Sequence, residues 1–189
     1  MPARLCVIVI TALMITACAE KAPDAVPYDP ARDYFTFANT GEFVTEHLAL
    51  NLRVDFDAEQ LAGSVVHTMR RIDAEAAEIV FDTRDLTIND AQVLLADGTV
   101  VAAEYRFGES DAIMGTPLVI SLPSAALPAQ QFRLKIDYAT SPASTALQWL
   151  PANLTAGGKH PLMFSQSQAI HARSWIPLQD TPAVRITYE

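Results

Sequence analysis

A chain of 189 residues, half of them hydrophobic and 19% charged, suits one domain with its own core and excludes a disordered chain. Its formal net charge of −9 argues against a nucleic-acid partner or an anionic lipid surface held by simple electrostatics. The same charge mildly suits cationic ligands such as free amines.

Residues 1–17 read as a secretory signal peptide. Arg4 and the amino terminus give a positive start, and the apolar run Leu5–Ile15 is too short to span a bilayer as a mature helix. The ending Ile15-Thr16-Ala17-Cys18 has the form of a bacterial lipoprotein signal, in which the Cys becomes the lipid-bearing first residue. Ordinary cleavage after Ala19 also satisfies the small-x-small rule. Lipidation at Cys18 would make a stable membrane anchor, at about 0.8 kcal/mol per buried CH₂. The expected location is therefore the bacterial cell envelope, periplasm or outer membrane. The cysteines are Cys6 and Cys18. Neither falls in the folded part, which is expected to have no disulfide and no thiolate metal site. Residues 18–33 carry three prolines and few apolar residues, as an extended, semi-stiff tether does.

From residue 34 to 189 the pattern is β. Leu48, Leu50, Leu52, Val54 and Phe56 alternate with polar or small residues, the period of a half-buried strand. A second strand is expected over Leu61–Ile72, then a connection over Asp73–Glu78. Shorter pieces come next, at Ile79–Phe81, Leu86–Ile88 and Val93–Leu95. Asp97-Gly98 is the strongest hairpin signal, joining Val93–Leu95 to Val100–Tyr105. Leu118–Leu122 ends at Pro123. Phe132, Leu134, Ile136 and Tyr138 alternate cleanly, and Val184–Tyr188 begins one more strand. Many short strands at hairpin spacing predict an all-β fold, an antiparallel β-sandwich or saddle. No long helical period comes after the signal.

Phe164–Pro182, FSQSQAIHARSWIPLQDTP, is not explained by sheet building. Gln166 and Gln168 sit two apart and would share one side of an extended segment. Pro177 and Pro182 bracket Asp180 and forbid a long regular element. Paired amides on a fixed path suit a binding edge, since they offer donors and acceptors without a charge to desolvate. The plainer alternative is that both glutamines satisfy loop backbone. Arg173 and Asp180 make a good clamp for irregular backbone.

This stretch resembles the N-terminal domain of zinc aminopeptidases of the aminopeptidase N and leukotriene hydrolase (M1) family. The residues carrying the likeness are Gln168, Arg173, Pro177, Asp180 and Pro182. Ala146–Leu150, Gly157–Arg173 and Gln179–Pro182 place it nearest the leukotriene-hydrolase branch, and Asp82–Ile88 extends it weakly towards Tyr34. Leu178 stands where the family often has Cys. The resemblance implies that Gln168 lies on the rim of the active-site cleft and helps hold the amino end of a peptide substrate. Gln166 and Ala169 inherit a weaker form of that role. It further implies a zinc metallo-aminopeptidase as the full-length parent, in which a zinc-bound water attacks the first peptide bond.

The parts for that chemistry are not found in this sequence. His-Glu-x-x-His and Gly-x-Met-Glu-Asn are absent, and His47, His67, His160 and His171 have no ligand spacing. His67 falls mid-strand, in a packing or surface role. Neither a nucleophile elbow nor a phosphate loop is present. No catalytic residue, metal ligand or cofactor is therefore assigned within the chain. The stop at Glu189, inside a strand by pattern, suggests a domain truncated at its C-terminus and lacking its catalytic partner. The alternative is a stand-alone, non-catalytic periplasmic lipoprotein binding module.

Overall fold

The structure, a computed structural model, describes residues 28–30 and 32–189. The expected signal peptide, Cys18 and most of the tether lie outside the described residues. The chain divides into two units after Arg32, and the sheets belong to Asp33–Glu189.

Among the described residues, eleven strands build three sheets. The six-stranded sheet has the order β11-β1-β2-β8-β4-β5, from Thr187–Tyr188, Phe43–Asp55, Gln60–Arg71, Gln131–Ala139, Thr87–Leu94 and Val100–Ala102. A three-stranded sheet has the order β3-β7-β6, from Glu78–Thr83, Thr116–Ser121 and Glu104–Phe107. The hairpin β9 (Leu147–Leu150) and β10 (Leu162–Ser165) stands apart. Pairing is antiparallel throughout except that β11 runs parallel to β1. The only helical pieces among the described residues are three short 3-10 turns.

Alternation in the sequence becomes a core between two layers. Phe132, Leu134, Ile136 and Tyr138 on β8 are buried and their neighbours are not. They meet Phe43, Val65 and Met69 from the same sheet and Ile79, Phe81, Leu118 and Ile120 from the three-stranded one. Each such side chain, taken fully out of water, contributes about 1.5–3 kcal/mol. His67 is wholly buried among them, its ring 4.5 Å from that of Phe81 across the layers.

The Asp97-Gly98 turn joins β4 and β5 as expected. Leu94 faces Val100, and Gly98 takes φ 88°, which a residue without Cβ adopts freely. Three boundaries differ from the sequence expectation. The pieces expected at Leu86–Ile88 and Val93–Leu95 merge into one strand, β4, which starts at Thr87 and ends at Leu94, because a bulge between Ile88 and Asp90 interrupts the alternation without ending the pairing. Val100–Tyr105 is two strands: buried Ala103 passes the chain from the six-stranded to the three-stranded sheet. The last strand shrinks to Thr187–Tyr188, because a turn in which the Val184 N–H donates to the Thr181 carbonyl spans Pro182.

Candidate functional site

The hairpin β9–β10 delivers the chain to the site. Leu147 pairs with Ser165, and the Gln166 N–H continues the ladder by donating to the Ala146 carbonyl at 2.8 Å. There the extended path ends. Residues 168–171 form a turn, closed by the His171 N–H donating to the Ser167 carbonyl at 2.9 Å, and the Gln168–Ala169 peptide bond is cis. Gln166 and Gln168 therefore do not share one side of a strand. The Gln166 Oε1 accepts from the Gln168 N–H at 3.1 Å, and the Trp175 indole donates to the Ser167 hydroxyl at 3.0 Å. A 3-10 turn, Ala172–Ser174, comes next. The buried Ser174 hydroxyl donates to the His171 carbonyl and accepts from the Ala146 N–H, tying this turn to the start of β9.

Arg173 is the anchor. It is fully buried, a position a guanidinium holds only when its donors are met. Its Nε donates to Asp180 Oδ2 at 3.0 Å and its Nη1 to the Met114 carbonyl at 2.9 Å. Its Nη2 donates to the Phe35 carbonyl at 2.7 Å and the Asp180 carbonyl at 3.1 Å. Asp82, equally buried, lies 3.6 Å from Nη1. Asp82 accepts from the Thr36 hydroxyl and from the N–H groups of Phe37 and Asp180. Burial pushes its carboxyl above the usual range, against the pull of those donors and of Arg173. The clamp expected of Arg173 and Asp180 is thus present, and it reaches further than a pair. It fixes residues 35–37, 82, 114 and 180 around one guanidinium.

What the clamp shapes is a cleft of about 720 Å³. Its walls are mainly apolar, from Phe35, Ile113, Ile170, Leu178, Val184 and Ile186. Gln168 and Ala169 line it, and Gln166 does not. The other polar side chains on the wall are engaged. Asp33 accepts from the Phe35 N–H and the Thr181 hydroxyl. Asp180 serves Arg173. Gln179, only 4% exposed, accepts from the Thr45 N–H and donates to the Phe43 carbonyl, each at 2.8 Å. The loop-backbone role expected of the glutamines falls to Gln166, through the Gln168 N–H, and also to Gln179, a residue whose sequence context carries no sign of it. The exposed Gln168 lines the cleft, and its carboxamide makes no hydrogen bond to any described residue, which leaves its oxygen and its two N–H donors open to solvent or a ligand. Leu178, the departure from the family pattern, packs in the core and bridges to Asp82 through its backbone.

Among the described residues, no group of three or more His, Cys, Asp or Glu side chains is placed to hold a metal ion. His67 is buried, His47 bonds to Thr187, and His171 bonds to Thr145 on the flank of the turn.

Comparison with known proteins agrees with this architecture. Residues 44–189 match the Peptidase M1 N-terminal domain family. The chain is 42% identical over 156 residues to a leukotriene A-4 hydrolase of Xenopus laevis, covering 82% of this chain and 25% of that protein. It is 39% identical over 166 residues to a leucine aminopeptidase 2 of Coccidioides immitis, covering 87% of this chain and 26% of that one. Among solved structures it resembles a yeast LTA4 hydrolase in complex with bestatin, with TM-score 0.74 and 34% identity over 88% of this chain and 25% of that one. An M1 zinc metallopeptidase mutant of Deinococcus radiodurans, bound to a Tyr-Ser-Ala substrate, shares the fold at TM-score 0.53 and 21% identity, over 78% of this chain and 31% of that one. The chain spans about a quarter of the length of the two curated relatives. With a match that runs through most of its length, the chain belongs to the Peptidase M1 N-terminal domain family.

Proposed function

We propose that this chain is the cleft-lining N-terminal domain of an exported zinc aminopeptidase that removes N-terminal residues from peptides, with Gln168 receiving the substrate's free amine. The observation that carries the reading is the state of the cleft's polar groups: Asp33, Gln179, Asp180 and Thr181 are engaged internally, whereas Gln168 is not. An amide oxygen accepts from an ammonium without adding charge of its own. Ala169 leaves room beside it. Gln166 contributes indirectly, by holding the Gln168 backbone N–H.

The described residues do not furnish a zinc site, so no hydrolytic step is assigned to them. In this reading the metal and its ligands belong to a further domain of the enzyme, as the quarter-length coverage of the relatives suggests. Export and lipid anchoring at Cys18 are supported by residues 1–18 of the sequence alone. The partners are a peptide substrate and, through the anchor, the membrane.

The test is a comparison of substrates in the polypeptide encoded by the intact locus. A peptide with a free amino terminus should be cleaved one residue at a time, and its N-acetylated counterpart should not. Equal cleavage of both, or cleavage only at internal bonds, overturns the reading.

A further inference from the structure

Gln168 and Ala169 are exposed, so the turn that carries them is held from its two ends. At the exit, the buried Ser174 hydroxyl donates to the His171 carbonyl at 2.8 Å, and the His171 ring lies 2.8 Å from the Thr145 hydroxyl. At the entry, two bonds converge on Ser167, the residue before Gln168. Its carbonyl accepts from the His171 N–H at 2.9 Å, and its hydroxyl accepts from the Trp175 indole N–H at 3.0 Å. The other contact at the entry, from the Gln168 N–H to Gln166 Oε1, is solvent-exposed and 3.1 Å long. The indole bond is therefore the one side-chain tie, among the described residues, that joins the entry of the turn to the packed part of the domain.

Trp175 is itself well fixed. Its side chain packs, partly buried, against the core. Its backbone N–H donates to the Ala172 carbonyl at 3.0 Å and closes the 3-10 turn that contains the fully buried Arg173. An indole has two side-chain torsions and a single donor, so a packed ring fixes where its N–H points. Ser167 and Trp175 line a second cavity of about 380 Å³ and do not line the cleft. Leu178 and Ile186 border both spaces, so the indole acts from behind the cleft wall. We propose that Trp175 is a positioning residue for Gln168: its bond to Ser167 fixes the backbone from which the Gln168 side chain departs. The inference rests on Gln168 receiving the substrate amine. Without the bond, the carboxamide samples a wider range of positions, and binding the amine must confine it again.

The test is a double-variant cycle in the polypeptide encoded by the intact locus, read as kcat/KM for peptides with a free amino terminus. Trp175→Phe keeps an aromatic ring and deletes the donor. Ser167→Ala deletes the acceptor, and Ser167→Thr keeps it. Trp175→Phe and Ser167→Ala should each lower kcat/KM about three- to tenfold, the range of one neutral hydrogen bond, and Ser167→Thr should retain it. In a Gln168→Ala background, either loss should shrink to less than about twofold, because the group being positioned is gone. A merely structural role would give the same fall in both backgrounds. Ser167 is only half-buried, so its variants decide should Trp175→Phe fail to fold. Equal falls in both backgrounds, or a loss in Ser167→Thr as large as in Ser167→Ala, overturn the inference. An unaltered kcat/KM in Trp175→Phe and Ser167→Ala, with a fall in Gln168→Ala, overturns the inference and leaves the amine reading standing. A Gln168→Ala enzyme as active as the unaltered one overturns both.

Discussion

Replacing Arg173 with Met tests whether one guanidinium organises the cleft. The side chain is fully buried and ion-paired to two carboxylates, Asp180 at 3.0 Å and Asp82 at 3.6 Å. Removing one partner of a buried pair typically costs about 3–5 kcal/mol, because the remaining charge stays desolvated. The carbonyls of Phe35, Met114 and Asp180 also lose their donor, at about 1 kcal/mol each where water cannot replace it. Partial relaxation offsets some of this, so a loss of about 4 kcal/mol is expected, or about 8–16 °C in Tm. Urea unfolding followed by fluorescence of Trp149 and Trp175 measures it. A second arm identifies the cause. Asp82→Asn removes the charge that Arg173→Met strands, so the double variant should be more stable than the two single losses predict, by at least about 1 kcal/mol. A loss under about 1 kcal/mol for Arg173→Met, or strict additivity in the cycle, would refute the reasoning.

Two further residues give testable outcomes. Burial pushes the His67 imidazole down from 6.5 to about 3, opposed by a backbone hydrogen bond at Pro177, so the native state keeps it neutral. Below pH 6.5 the unfolded chain takes up a proton that the native state refuses. Stability from this residue is therefore complete above about pH 6.5 and is lost progressively as pH falls towards 3. At about 1.4 kcal/mol per pH unit, the chain should lose about 2 kcal/mol between pH 6.5 and 5 through this group. His67→Leu should lose correspondingly less over that interval in urea titrations at both pH values; parallel losses would show that the imidazole is not the group responsible. Gly115 and Gly98 form a matched pair, at φ 85° and 88°. A Cβ at Gly115 would stand 2.2 Å from the Thr83 carbonyl oxygen, while one at Gly98 meets nothing within 4 Å. Gly98→Ala should cost about 1 kcal/mol and Gly115→Ala clearly more, with thermal unfolding of both as the check.

The legible parts of this fold are those whose signal is local. Alternation from Phe132 to Tyr138 marks one buried face on its own, and Asp97-Gly98 announces a turn without reference to anything distant. Sheet membership is not local. Nothing between Val100 and Phe107 says that Ala103 changes layers, because both strands keep an extended backbone. The bulge in β4 misleads for the opposite reason, since it breaks the period while the ladder continues. The site shows the same division. The Arg173–Asp180 clamp spans seven residues and is readable, but its further partners, Phe35 and Met114, lie 138 and 59 residues away. The three glutamines look alike in sequence. Only the packing distinguishes Gln179, which stitches buried backbone, from Gln168, an exposed residue on the cleft wall.

The central claim is that the Gln168 carboxamide grips the substrate amine, and kinetics of Gln168→Ala in the intact enzyme test it most directly. A hydrogen bond to a charged group contributes about 1.5–3 kcal/mol, so kcat/KM for free-amine peptides should fall by about 10- to 150-fold while Tm stays unchanged. An unaltered kcat/KM, or a fall explained by a matching loss of Tm, would contradict the account.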